Sequence, residues 1–307
     1  MAAKDGLFKK KEPGDPSIMA EGIALQRMAE SRLPEDIRIF SDPYAVRFID
    51  PVKLAWAKEH PAEVQAIVEA LDQQMPGWNN SIRARVRYFD DVAGKAPFEG
   101  FTQLVIFGAG YDTRAYRINS LKENIRIFEI DRPETLEKKT AVLADIFGHL
   151  PGHVAFVPYE IDEGNTWVDL ESAGYSPEQK TLFVLEGLVM YLPRPAVNEL
   201  LSEIARHAGA GSAVLFDFIP QSMADGSTDA EGGRMIRDFT ISIGEPIQSG
   251  FAPGEVTSFL VACGYYGVQV IPPSAYGAMY YTGKNAGRRV SGLLSFVYAT
   301  VAGRDKS

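Results

Sequence analysis

The chain changes texture near residue 100. Before it, apolar residues recur at helical spacing. "PSIMAEGIALQRMAESR" places Ile18, Ile23, Leu25 and Met28 at roughly helical spacing, and "PAEVQAIVEALDQQM" and "NNSIRARVRYFDDVAG" follow, divided by Pro76 and Gly77. "FSDPYAVRFID" reads as a short helix capped by Ser41 or Asp42. After residue 100 the apolar positions gather into short runs: "TQLVIF", "IRIFEI", "VAFVPY", "TLFVLEGLVMYL", "SAVLFDFI", "GVQVI" and "LLSFVYATV". Helical stretches such as "PETLEKKTAVLADIF" and "RPAVNELLSEIARHA" lie between most of them. Nearly continuous apolar strands alternating with helices predict a doubly wound, mostly parallel α/β sheet covered on both faces, preceded by helices. The last two runs have a turn-rich segment between them and are expected to pair antiparallel at the sheet edge. The Gly-, Asp- and Ser-rich stretch after "FDFIP" is a candidate lid.

Composition narrows the chemistry. The 307 residues are 46% hydrophobic and 23% charged, with a formal net charge of −9, so there is no basic field for a nucleic-acid backbone. The run Lys9–Lys11 is too short to alter that and reads as a solvated tail. One cysteine, Cys263, precludes an intrachain disulfide or a cysteine metal cluster and suits a cytoplasmic setting. His149 and His153 sit four apart, but the intervening Leu-Pro-Gly breaks the helix that would align them, so no metal site is expected. The N-terminal residues lack the apolar stretch of a signal peptide, and no run of 18 apolar residues is present to span a bilayer.

In open α/β sheets ligands bind beyond the carboxyl ends of the strands. The first run ends in Gly108, Ala109 and Gly110, a turn that could be structural or could let a ligand approach the backbone. The second ends in Glu129 and Asp131, about twenty residues on, where a carboxylate can meet ribose hydroxyls or simply cap the next helix. The third leads to Asp162, again a possible cap, and the fourth carries Glu186 among Leu185, Leu188 and Val189. A carboxylate there must find partners or lose its charge. Thr113 takes the place of the third glycine of a dinucleotide motif, bulky Arg114 follows, and no Gly-Lys-Ser/Thr is present for a phosphate loop. Several acids at strand ends suit a nucleoside ligand without phosphates. S-adenosylmethionine (SAM), with its ribose, adenine amino group and cationic amino-acid tail, has those parts.

The motifs "AEGIALQRMAESR", "DPYAVRFI", "IRARVRYFDD", "FGAGYDTRAYR", "FEIDRPETLEKK", "TLFVLEGLVMYL" and "FDFI", with "GEP" at 244–246, occur in the order of one family. The chain resembles the leucine carboxyl methyltransferases, including their bacterial and archaeal branch of small-molecule O-methyltransferases of polyketide type. The resemblance implies a seven-stranded, Rossmann-like SAM-dependent methyltransferase. It implies Arg85 as the clamp on the methionine carboxylate, a fork suited to bidentate bonding, against the alternative of a surface arginine paired with Asp90 or Asp91. Gly108, Ala109 and Gly110 would face the methionine, Asp131 the ribose, Asp162 the adenine amino group, Glu186 the ammonium, and Arg27 would give a second carboxylate contact. Many methyltransferases carry an acid two residues before the first glycine. Here that residue is Ile106, and Glu186 is the replacement.

These readings imply O-methylation of a small molecule's carboxylate. A carboxylic acid is already ionised at neutral pH, so positioning without a general base suffices. The alternatives are a phenol or alcohol acceptor, a protein C-terminus, and a non-catalytic SAM-binding module; Tyr111 and Tyr191 lie near the motifs but read as structural. The expected organisation is a helical cap over residues 1–98 contributing to the site, and a SAM-binding core over 99–307 with a lid at about 219–250. Neither nucleic acid nor membrane is an expected partner.

Overall fold

The computed structural model describes residues 17–159 and 166–302. Four helices come first: α1 (Ile18–Ser31), α2 (Pro51–Glu59), α3 (Pro61–Gln74) and α4 (Trp78–Lys95). Seven strands then form one sheet: β1 (Gln103–Phe107), β2 (Arg126–Asp131), β3 (Val154–Pro158), β4 (Thr181–Leu185), β5 (Ala213–Phe218), β6 (Tyr265–Ile271) and β7 (Ser295–Val301). Their spatial order is β3-β2-β1-β4-β5-β7-β6. β1 to β5 are parallel, and β7 runs antiparallel between β5 and β6. The short helices α5 (Arg114–Arg117) and α6 (Asn119–Asn124) join β1 to β2, α7 (Pro133–Phe147) joins β2 to β3, α8 (Thr166–Ser172) lies before β4, and α9 (Arg194–His207) precedes β5. α10 (Gln221–Asp225), α11 (Gly233–Ser242) and α12 (Glu255–Ala262) precede β6, and α13 (Pro273–Tyr280) lies between β6 and β7. The strand order reverses between β1 and β4, so a crevice opens beyond their carboxyl ends.

Alternation along each strand divides the core into two layers. Leu104, Ile106, Ile127, Val184 and Leu215 face Ile82, Phe89, Tyr116 and Leu143. Val105, Phe107, Phe128, Phe183 and Phe216 face Leu170, Val197, Leu201 and Leu260. β1 and β4 are buried at every residue, as continuous apolar runs in a doubly covered sheet must be.

Several elements differ from the pattern-based expectation. The run "TLFVLEGLVMYL" is not one strand: β4 stops at Leu185, Gly187 turns the chain at φ 63, and a 3-10 turn follows over Val189–Tyr191. Glu186 therefore stands at a strand end, not inside one. The last two strands pair antiparallel, but β7 inserts beside β5 and leaves β6 at the edge. "FSDPYAVRFID" forms only a 3-10 turn over Ala45–Phe48, with Asp42 Oδ1 accepting from the Tyr44 and Ala45 N–H groups at 2.9 and 3.0 Å. The stretch over 219–250 is partly helical, containing α10 and α11, and the turn-rich segment before β7 contains α13, begun by prolines that preset φ for a first turn. No described helix is long and apolar enough to cross a membrane.

Candidate functional site

Beyond Phe107 the chain turns through Gly108 (φ 63) and Gly110 (φ 42), values that a residue with a Cβ reaches only at a cost of about 1–2 kcal/mol. A Cβ on Gly108 would also lie 3.0 Å from Leu188 Cδ1. The turn is held from β2. Ala109 N donates to Ile130 O at 3.0 Å, and Gly110 N donates to Asp131 Oδ2 at 2.6 Å. Asp131 Oδ1 accepts from Arg132 N at 2.7 Å. Asp131 is thus not the cap of α7: Arg132 occupies that position, and the aspartate is turned towards the glycines.

Glu186 sits directly across from this turn in a network of charges. Its Oε1 accepts from Arg85 Nε at 3.1 Å and its Oε2 pairs with Arg114 Nη2. Arg85 Nη1 donates to Asp217 Oδ2 at 2.8 Å, while Asp217 Oδ1 accepts from Gly187 N at 2.6 Å. Arg114 also faces Asp112 at 3.3 Å and Asp90 at 3.6 Å. Arg85 is 3% exposed, which rules out a surface arginine; Asp90 pairs instead with Arg117 and Asp91 with Arg87. Burial alone would raise the Glu186 and Asp112 carboxyls, but Arg114 with Arg85 holds Glu186 below its ordinary value, and Arg114 with Lys139 does the same for Asp112. Asp217 goes the other way: burial raises it despite Arg85.

α1 closes one side of the crevice. Arg27 Nη2 donates to Tyr111 O at 2.5 Å and Nη1 lies 3.5 Å from Asp42, so this arginine grips the far end of the glycine turn. Met19 N donates to Glu245 Oε2 at 2.9 Å, joining the start of α1 to the loop after α11. Between these elements lies a cavity of about 390 Å3, within the roughly 300–1,000 Å3 usual for small-molecule sites. Arg27, Arg85, Gly108, Ala109, Gly110, Asp131 and Glu186 all line it, and Ile23, Trp78, Met190, Tyr191 and Pro246 form an apolar remainder. Asp162 lies outside the described residues. A depression of similar volume at the end of β3 has Asp169 as the only charged residue of its described lining, so charge and positive-φ backbone converge on the first cavity.

Sequence reasoning missed Asp112, Arg114 and Asp217 as members of this network. In the sequence Arg114 reads only as an obstacle to a dinucleotide, and the aspartate of "FDFI" only as part of a motif without a role. Among the described residues no group of three or more His, Cys, Asp or Glu could hold a metal ion.

Comparison with known proteins bears on the same region. A model described as leucine carboxyl methyltransferase matches residues 20–205. A Mycolicibacterium vanbaalenii protein, provisionally named an S-adenosyl-L-methionine-dependent methyltransferase, is 28% identical over 202 residues, 64% of this chain and 65% of that protein's length. A similarly named Mycolicibacterium smegmatis protein is 31% identical over 236 residues, 74% of each chain. Among solved structures, a provisionally named methyltransferase of Thermobifida fusca superposes with a TM-score of 0.53 at 15% identity, over 77% of this chain and 87% of that one, a likeness of fold alone. With the family match covering most of the chain, the protein belongs to the leucine carboxyl methyltransferase family of SAM-dependent methyltransferases.

Proposed function

We propose that the cavity binds SAM and that the protein methylates a carboxylate of a small molecule. The residues present fit the cofactor. A side chain at Gly108 would intrude on Leu188, so the cradle depends on glycine, and Asp112, Asp131, Glu186 and Glu245 give the lining carboxylates that suit the cationic parts of the ligand. In this reading Asp131 holds the ribose, the 108–110 turn lies against the methionine, and Glu186 meets its ammonium. Arg85 and Arg27 meet its carboxylate, and Asp162 meets the adenine amino group. SAM supplies an electrophilic methyl group on a positively charged sulfur.

The observation that favours a carboxylate acceptor is the protonation chemistry of the lining. Glu186 and Asp112 are held below their ordinary values and so are weak bases. The Tyr111 and Tyr191 phenols are pushed above theirs, first by burial, and stay protonated at neutral pH. Such a site suits an acceptor that arrives ionised. The chain then has to align the acceptor oxygen and exclude water, for which Ile23, Trp78, Met190 and Pro246 offer an apolar wall, and Gly244, Glu245 and Gln248 bring the loop after α11 to the same cavity.

The test is transfer of labelled methyl from SAM to a panel of small carboxylic acids, phenols and a peptide with a free C-terminal leucine, followed by mild alkali. Label released as methanol from a small-acid product supports the proposal. An alkali-stable product assigns the acceptor as a hydroxyl, labelling of the peptide alone assigns a protein substrate, and SAM binding without turnover on any acceptor leaves a binding module; each of these overturns it.

A further inference from the structure

Beside the glycine turn, and outside the lining of the cavity, lies a buried ion pair whose ammonium has so far entered only as a charge acting on Asp112. Lys139 is on the buried face of α7 with Thr135, Leu136 and Leu143, where an apolar residue would be expected, and Glu129 is in mid-β2 on the same sheet face as Ile127. Both side chains are 0% exposed, and Lys139 Nζ lies 2.6 Å from Glu129 Oε2. The same ammonium donates to the Ala109 carbonyl at 3.3 Å. That carbonyl also accepts from Asp112 N at 2.8 Å, while the Ala109 N–H is engaged by Ile130 O. Both backbone polar groups of Ala109, the residue between the two glycines, are therefore fixed.

We propose that Glu129 and Lys139 are positioning residues for the cofactor, acting through the Ala109 carbonyl; this rests on the reading of the cavity as the SAM site. A buried ion pair contributes little to stability compared with apolar residues of the same volume, because desolvating two charges offsets their attraction. Its particular contribution here is direction. Glu129 holds the ammonium in place, and the ammonium holds the turn whose two positive-φ glycines leave it otherwise free to reorient. The turn can then present the backbone and Asp131 to the ligand without reordering, which conserves binding free energy.

The test uses the protein with the single changes Glu129→Gln and Lys139→Met and a double variant, Glu129→Leu with Lys139→Met, that replaces both partners by apolar side chains. Thermal unfolding, calorimetric titration with SAM, and KM for SAM against kcat are measured on each. Each single variant strands one buried group and should lose stability, and the double variant should recover most of it. Despite that recovery, the double variant should bind SAM at least about tenfold more weakly than wild type, with KM rising more than kcat falls, because the donor to Ala109 is gone. Recovery of stability together with SAM affinity within about twofold of wild type would make the pair merely structural. A double variant that fails to fold also overturns the proposal, since it assigns the pair's cost and benefit to the turn and not to the core. Failure of the wild type to bind SAM would instead sink the reading of the cavity.

Discussion

At the scale of single residues, the site is a set of charges bought out of water only by mutual pairing. Arg85 bridges Glu186 and Asp217 at 4% side-chain exposure, so Arg85→Leu leaves Glu186 with Arg114 alone and strips the buried Asp217 of its cation. Breaking such a pair from one side costs about 3–5 kcal/mol, and urea unfolding should show a loss of that order. A loss under about 1 kcal/mol, the scale of an exposed pair, would contradict the burial assigned to it. Glu129 gives a pH signature. Burial, resisted by Lys139 and abetted by Asp112, pushes its carboxyl up to about 7 from an ordinary 4.5. A group that holds its proton more tightly when folded favours folding below the unfolded value, and that contribution is lost as pH rises through the folded one. Wild-type stability minus that of Glu129→Gln should therefore fall between pH 4.5 and about 7, by no more than about 1.4 kcal/mol per pH unit. A difference that is flat over this window would show that Glu129 stays ionised throughout.

At the scale of elements, the links from sequence to site are the turns that end strands. Gly187 has φ 63, and a Cβ on it would lie 3.1 Å from Arg85 Nη1. Gly187→Ala should therefore cost about 1–2 kcal/mol from the backbone and displace the guanidinium as well, seen as a lowered unfolding midpoint with weakened SAM binding. An unchanged midpoint and unchanged binding would mean that the 186–188 turn accommodates a side chain freely. The central strands were legible because buried strands write themselves as apolar runs, the partly exposed β3 and β6 because short β-branched stretches mark them, and α4 because Pro76 and Gly77 announce its start. α1 was legible as a helix but not in its orientation: the apolar stripe Ile23, Leu25 and Met28 is half-buried, whereas Ala24, Arg27 and Glu30 face inward. Arg27 reaches Tyr111, and Glu30 binds Arg288 through both oxygens at 2.9 and 2.6 Å. A buried face that carries charges defeats a hydrophobic-period reading. α13 was hidden for a related reason, since its prolines and glycine read as turn chemistry although the prolines stand in its first turn.

At the scale of the whole molecule, the fold gathers residues that the sequence keeps far apart. Arg85 and Asp217 are 132 positions apart, and Met19 and Glu245 are 226 apart, yet each pair touches at the one crevice where strand order reverses. The family's motifs pointed to seven of the cavity's lining residues, but none of their spacings encodes which acid meets which arginine. That pairing is set by how α1 and α4 dock on the strand ends, and this is why Asp112, Arg114 and Asp217 came to light only in three dimensions. The central claim is that this crevice, organised around the glycine turn and Asp131, is where SAM binds. Calorimetric titration of SAM into wild type and Asp131→Ala tests it most directly. The account predicts one site per chain in the wild type, and affinity lower by about 10–100-fold in the variant, the loss expected for a hydrogen-bonded carboxylate; equal affinity in the two proteins would contradict it.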